Sequence, residues 1–279
     1  MRTIFANDVT TVVRNLCIQA CTILGPDVIN QIEKALGGET SPTGRMALEK
    51  IIQNAEIAAK ENIPLCQDTG MAVVFLEIGQ DVHITGGSLQ DAINEGVRQG
   101  YKDGYLRKST LDPVTRRNVG DNTPAVIHTE IVPGARFRIV FAPKGFGSEN
   151  MSRVMMFPPS AGIEGAKDFI VHRVIESGGN PCPPIVVGVG LGGTFEKSAL
   201  MAKKALLRPL GSQNPDPTLD ALEKELLQKI NATGIGPMGL GGNTTALAVH
   251  INSYPTHIAS LPVAVNIQCH SCRHAEATL

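Results

Sequence analysis

Apolar residues recur at three- and four-residue intervals near the start of the chain, in VTTVVRNLCIQACTIL, the period of one face of a helix. The same spacing returns in TGRMALEKIIQNAEIAAKEN, where Ser41 or Thr43 is placed to cap the first turn. After Pro64 the motif LCQDTG enters MAVVFLEIG, a continuous apolar run rich in β-branched residues, which predicts a strand with the motif at its entrance. Helical spacing resumes from Leu89 to Gly104, and the polar stretch YLRKSTLDPVTRRNVGDNTP follows as a long charged loop, on the surface or over a site. AVIHTEIV and ARFRIVFAP alternate well enough to predict neighbouring strands joined by a turn at Pro133 and Gly134. Beyond the glycine-rich KGFGSENMS, a helix is predicted from about Gly162 to Glu176. PPIVVGVGLGG is a buried strand, and TFEKSALMAKKALL is the helix after it. The turn GSQNPDPT, the helix LDALEKELLQKINATG and the strands TTALAVHINSY and LPVAVNIQC complete the pattern. No repeat, low-complexity tract or linker composition interrupts it. The expectation is one α+β domain over 1–279, with a helical N-terminal region of about 1–60 followed by mixed, largely antiparallel sheets and flanking helices.

Charge narrows the partners. The chain carries 25 basic and 26 acidic residues, a formal net charge of −1, which argues against a broad electrostatic surface for nucleic acid or an anionic membrane. A small ligand held by a few local charges fits better. No stretch approaches the ~20 consecutive apolar residues of a membrane span, and MRTIFANDVTTVVRN has no basic-then-apolar leader pattern. These features predict a soluble, cytoplasmic protein.

Six cysteines are too few for a disulfide scaffold in a chain of 279 residues, and a reducing cytosol keeps them as thiols. Cys17 and Cys21 lie one turn apart on an apolar helix face and are expected to be small buried hydrophobes. Cys269 and Cys272 form a C-x-x-C pair, NIQCHSC, which by itself is compatible with metal binding, a redox dithiol or two adjacent thiols. Cys66 in PLCQDTG and Cys182 in GGNPCPP each stand in a short proline-flanked break beside a strand, where proline restricts the backbone to a fixed loop. Three separate loops with one thiolate each suit a 4Fe-4S cluster that keeps one iron open as a Lewis acid, whereas four thiolates would suit electron transfer.

The blocks LCQDTG, YLRKST with NVGDNTP, KGFGSENMS, GGNPCPP followed by GVGLGG, and THIASLPVAVNIQCHSC resemble, in order, the α-subunit of class I fumarases and the related L-tartrate dehydratases. The resemblance extends from about Asn62 to Cys272 and implies a 4Fe-4S cluster on Cys66, Cys182 and Cys269, with Cys272 a neighbour rather than a ligand. It implies reversible hydration of fumarate to malate, or dehydration of L-tartrate to oxaloacetate. Gln67 and Asp68 follow the ligand Cys66 and are assigned to the substrate, Asp68 as a proton relay; as a bare residue Asp68 also suits a turn carboxylate. The resemblance matches Arg107 to a dicarboxylate-binding arginine and His257, twelve residues before Cys269, to an active-site histidine. Gly147 offers close backbone approach to a carboxylate, with Gly145 nearly as well placed, while Asn150 is a weaker polar contact and Lys108, Arg116 and Arg117 are solvated loop charges. Further substrate groups of this family, including a threonine assigned as the C–H base, lie on a separate C-terminal domain or β-subunit. The resemblance therefore implies a β-subunit partner in an α2β2 assembly.

Two rival readings compete. GVGLGG, from Gly188 to Gly193, satisfies the G-x-G-x-x-G pattern of a dinucleotide site between a strand and a helix, which would suit an NAD-dependent dehydrogenase. KKALLRPLGSQNPDP stands where a second strand ending in Asp or Glu is required, so close strand-to-helix packing explains the glycines better. The other rival is a non-catalytic metal-binding subunit whose cluster or zinc shapes a partner interface.

Overall fold

In the computed structural model, which describes residues 2–279, the chain divides between two units interleaved along the sequence. The first takes the residues up to Leu24, Asn54–Gly145 and Arg273–Leu279; the second takes Gly25–Gln53 and Phe146–Cys272. Interleaving explains why no linker composition marks a boundary. The α+β class is as expected, with α1 (Ala6–Thr22), α2 (Pro26–Gly38) and α3 (Pro42–Glu61) filling the N-terminal region after a short strand β1 (Arg2–Phe5). Ser41, rather than Thr43, caps α3: its Oγ accepts the Gly44 N–H at 3.2 Å.

The first unit is built on β2 (Met71–Gly79), whose central residues are buried throughout, as a strand paired on both sides requires. On one side β5 (Phe137–Lys144) pairs antiparallel, and on the other β4 (Val126–Val132) pairs parallel; β10 (Ala275–Thr278) adds to β5. The expected β4–β5 neighbours are therefore separated by β2. Their connection passes over the end of β2, where Gly79 N–H donates to Arg136 C=O at 2.6 Å and Asp81 N–H to Gly134 C=O at 3.0 Å. A Cβ at Gly79 would stand 2.2 Å from Gly134 O, so only glycine permits that crossing. A parallel pair of β1 with β3 (Val82–Thr85) forms a separate ribbon. Helix α4 (Leu89–Asp103), capped by Ser88, packs on α1. Val9, Val13, Leu16, Cys17, Ala20 and Cys21 of α1 are buried in this core.

In the second unit the sheet order is β6 (Arg153–Phe157), β9 (Leu261–Gln268), β7 (Ile185–Gly192), β8 (Ala246–Tyr254), with β7 parallel to β8 and antiparallel to β9. A short helical turn, α5 (Phe146–Glu149), precedes β6, and α6 (Gly162–Ser177), α7 (Phe195–Ala205) and α8 (Pro217–Asn231) complete the unit. Val187 and Val189 of β7 pack with Ile170 of α6 and Leu226 of α8. Gly188 and Gly190 alternate to the opposite face, where α7 approaches so closely that added Cβ atoms would lie 2.1 Å from Ala202 O and 1.9 Å from Ser198 O. Helix packing thus accounts for two glycines of the dinucleotide-like string.

Glu39 ties the sequence-remote α2–α3 connection into this unit. Its carboxylate, 3% exposed, accepts N–H bonds from Thr40, Ser41, Asn243 and Thr244. Burial pushes its pKa up, but the backbone donors together outweigh burial and hold it below the usual carboxylate value. Glu39→Gln is expected to lower unfolding free energy by about 2–3 kcal/mol, the scale of losing hydrogen bonds to a charged acceptor. A lowered folded pKa stabilises at pH above the unfolded value of about 4.3, and that stability is lost as pH falls through the folded value. Urea unfolding at pH 7 and at successively lower pH checks this: the wild-type advantage should shrink with acid, and a constant advantage would refute the charge argument.

Taken together across the break at residues 23–25, α1 and α2 (Ala6–Gly38) pass the length and composition test for a membrane span, with a mean hydropathy of 1.3. The buried α1 face is the behaviour of a core helix.

Candidate active site

In the first unit, bonds to both backbone and side chains hold the Cys66–Gly70 segment and the residue before it. Leu65 N–H donates to Cys21 C=O at 2.9 Å, Asn54 Nδ2 donates to Leu65 C=O at 2.9 Å, and Arg273 donates to Asp68 C=O. The half-buried Cys66 sulfur receives the Asp68 N–H at 3.4 Å, the arrangement of a turn that presents a sulfur to amides. Asp68 Oδ1 accepts Gly70 N–H at 3.0 Å, so the turn role of this carboxylate is realised. Its Oδ2 would be 3.2 Å from a Cβ on Gly145, so a side chain there would crowd the carboxylate. Gln67 is exposed beside it. Arg107 is exposed as well, and its carbonyl accepts the Thr69 hydroxyl at 3.0 Å, bringing the arginine's backbone to the CQDTG turn. Cys17 and Cys21 are fully buried; burial pushes the Cys21 thiol up to about 11 and Cys17 well above its ordinary value, so both stay protonated and poor ligands.

In the second unit, Cys182 precedes β7 and Cys269 follows β9, and the antiparallel register pairs Val186 with Gln268. Both cysteines therefore sit at the same end of the sheet. His270 joins their loops, its N–H donating to Cys182 C=O at 3.3 Å and its Nδ1 lying 3.0 Å from the same oxygen. Cys182 adopts a φ of 55°, a left-handed conformation costing about 1–2 kcal/mol in a residue with a Cβ; its fixed position depends on these bonds and on its own N–H to Gly179 C=O. Gly147 lies next to the same loop, where a Cβ would be 3.8 Å from Asn180 O. Cys272 is buried, and its thiol donates to Leu206 C=O at 3.6 Å. His257 is elsewhere. It occupies the exposed turn before β9, its Nδ1 accepting Ala259 N–H at 3.2 Å, and the eight residues of β9 separate that turn from Cys269. At ~3.3 Å per residue the separation is about 26 Å. The expected grouping of His257 with Cys269 does not occur within one copy of this unit, because twelve residues that include a fully extended strand carry the chain from one end of the sheet to the other.

A family model described as fumarate hydratase (Fumerase) matches residues 10–278. The chain belongs to the fumarate hydratase family. It is 44% identical over 273 residues to a protein of Methanocaldococcus jannaschii named "Putative L(+)-tartrate dehydratase subunit alpha", covering 96% of both chains. It is also 32% identical over 279 residues to the L(+)-tartrate dehydratase subunit alpha of Escherichia coli strain K12 and to that of Shigella boydii, in each case over 98% of this chain and 90% of the relative.

Cys66, Cys182 and Cys269 are thiols, each half-buried, and each stands in a loop fixed by backbone bonds. Among the described residues no three His, Cys, Asp or Glu side chains are grouped to hold a single metal ion. Thiols are the soft donors that iron–sulfur groups take, one thiolate to each iron. Residues that the sequence did not single out also take part: Arg273, Thr69, Tyr101 and Asn122 around the Cys66–Gly70 turn of the first unit, and His270 beside Cys182 in the second. His270 lies inside the C-x-x-C pair and Arg273 directly after it, and the others lie within or just before quoted motifs, so position relative to the motifs was the available signal.

Proposed function

We propose that this chain is the α-subunit of a hydro-lyase that interconverts fumarate and malate, with a 4Fe-4S cluster held by Cys66, Cys182 and Cys269. The observation that carries the reading is the meeting of the Cys182 and Cys269 loops at one end of the second sheet, stitched by His270. When bound, the cluster supplies a Lewis-acidic iron without a protein ligand. The remaining work falls to side chains. Arg107 binds a substrate carboxylate through its guanidinium fork, and Gly147 lets a second carboxylate approach backbone amides. Gln67 orients the substrate, and Asp68 holds the proton of its hydroxyl group, with Gly70 N–H fixing the other carboxylate oxygen. The C–H base is supplied by a β-subunit; the naming of the relatives as alpha subunits supports such a partner. His257 reaches a substrate only from a second α chain, since a four-carbon diacid does not span the length of β9, and an α2β2 assembly supplies that chain. Thiols that must stay reduced suit a cytoplasmic setting.

A second reading, dehydration of L-tartrate to oxaloacetate, is favoured by the names of the relatives. Anaerobic co-expression with the β-subunit, followed by assays on fumarate and L-tartrate, decides between them. Turnover of fumarate well above that of L-tartrate supports the first reading and the reverse supports the second; iron-loaded assemblies inactive on both would refute the proposal.

A further inference from the structure

Arg107 stands on a segment without regular structure of its own. Between α4 and β4 the chain forms neither helix nor strand, only the single bridge of Leu111 with Asn118. Loops this long ordinarily populate many conformations, and ordering an arginine at the moment of binding costs affinity. Side chains of the first unit remove that freedom. Asn122, fully buried, accepts at Oδ1 from Ser109 N–H at 2.7 Å, Thr110 N–H at 3.1 Å and the Thr110 hydroxyl at 3.1 Å. Its Nδ2 donates to Gly70 C=O at 3.1 Å, and it does this at a φ of 64°, which asparagine tolerates better than most residues. Thr69, 1% exposed, donates to Arg107 C=O, and the buried Tyr101 hydroxyl lies 2.8 Å from Thr69 C=O and 3.0 Å from Gly70 C=O. The stitch joins the turn that begins at Cys66 to the segment that carries Arg107.

We propose that Asn122 and Thr69 are positioning residues for substrate binding, fixing the Arg107 backbone against the Gln67–Gly70 turn so that one carboxylate and the hydroxyl of a small diacid meet Arg107 and the turn at a set separation. The inference rests on the reading of Arg107 as a carboxylate ligand. A guanidinium displaced by about 1 Å loses much of its paired geometry, and misplacements of that size cost up to ~10²-fold in rate.

Thr69→Val removes one hydroxyl with little change in shape, and Asn122→Ala removes the whole clip. In the loaded assembly, Thr69→Val is expected to raise KM for fumarate or L-tartrate about 10-fold with kcat within about 3-fold, the signature of lost binding shared by ground and transition states. In an Arg107→Ala background it should add nothing to KM. Asn122→Ala should move KM further in the same direction. A readout independent of the cluster is amide hydrogen exchange in the metal-free chain, which should quicken over residues 105–111 in Thr69→Val and stay unchanged in β2. Unchanged exchange and KM in Thr69→Val, or an equal rise of KM in the Arg107→Ala background, would overturn the inference. An unchanged KM in Arg107→Ala alone would instead overturn the carboxylate role of Arg107 and, with it, the positioning claim.

Discussion

With the cluster held as proposed, replacing Cys182 by Ser is expected to reduce activity by ~10³-fold or more and to strip iron and sulfide from the anaerobically reconstituted assembly. A serine hydroxyl stays protonated near neutral pH and is a hard donor, so it replaces a thiolate poorly at iron. Without the Lewis acid, several kcal/mol of charge stabilisation are lost, and each ~1.4 kcal/mol is tenfold in rate. Cys272→Ser is the matched control. It lies three residues from Cys269 and belongs to the same C-x-x-C motif, but its buried thiol donates to Leu206 C=O. It is expected to keep its iron and lose no more than a few-fold in rate. Iron and acid-labile sulfide per chain, with the visible absorbance of the cluster, measure both. Full metal content in the Cys182 variant, or metal loss in the Cys272 variant, would reverse the assignment of ligands.

The contrast between those two cysteines marks how far the sequence could be read. Local pattern found the helices and the well-buried strands, because α4, α6, β7 and β9 each bury a face or a whole run and so write their period into the chain. It missed β1, β3, β6 and β10, short strands at sheet edges, where few positions are buried and alternation has little to record. It also misplaced β4 beside β5, since pairing partners depend on which strand inserts between them and no local signal carries that information. Glycines of GVGLGG satisfied a ligand-binding pattern for a reason unrelated to ligands: the backbone of α7 occupies the space that side chains at Gly188 and Gly190 would need. The candidate site followed the same division. Motif residues such as Cys66 and Asp68 were legible as types, while Asn122 and His270 act through backbone carbonyls that only folding brings within reach.

The position of His257 gives the second large effect. His257→Asn and Asp68→Asn should each lower kcat/KM by about 10²–10³-fold, the usual scale for removing a group that handles a proton or a developing charge. Alone, the two variants look alike. Mixed with Cys182→Ser they should not, because β9 puts His257 at the far end of the sheet from Cys182 and Cys269, and on the proposed reading a histidine there serves the site of another α chain. When Cys182→Ser and His257→Asn chains share an assembly, one site combines intact cysteines from one chain with an intact His257 from the other. Random pairing puts half of the assemblies in this mixed state with one of two sites whole, so activity should recover to about a quarter of wild type. Cys182→Ser with Asp68→Asn should recover nothing, since on the proposed reading both residues serve the site of their own chain and neither chain then offers a complete set. Differently tagged α chains, co-expressed with the β-subunit and purified on both tags, isolate the mixed species and raise the expected recovery to about half. Failure of the His257 pair to complement would place that histidine in the site of its own chain, and near-wild-type activity of His257→Asn alone would leave it the exposed turn residue that its bond to Ala259 N–H describes.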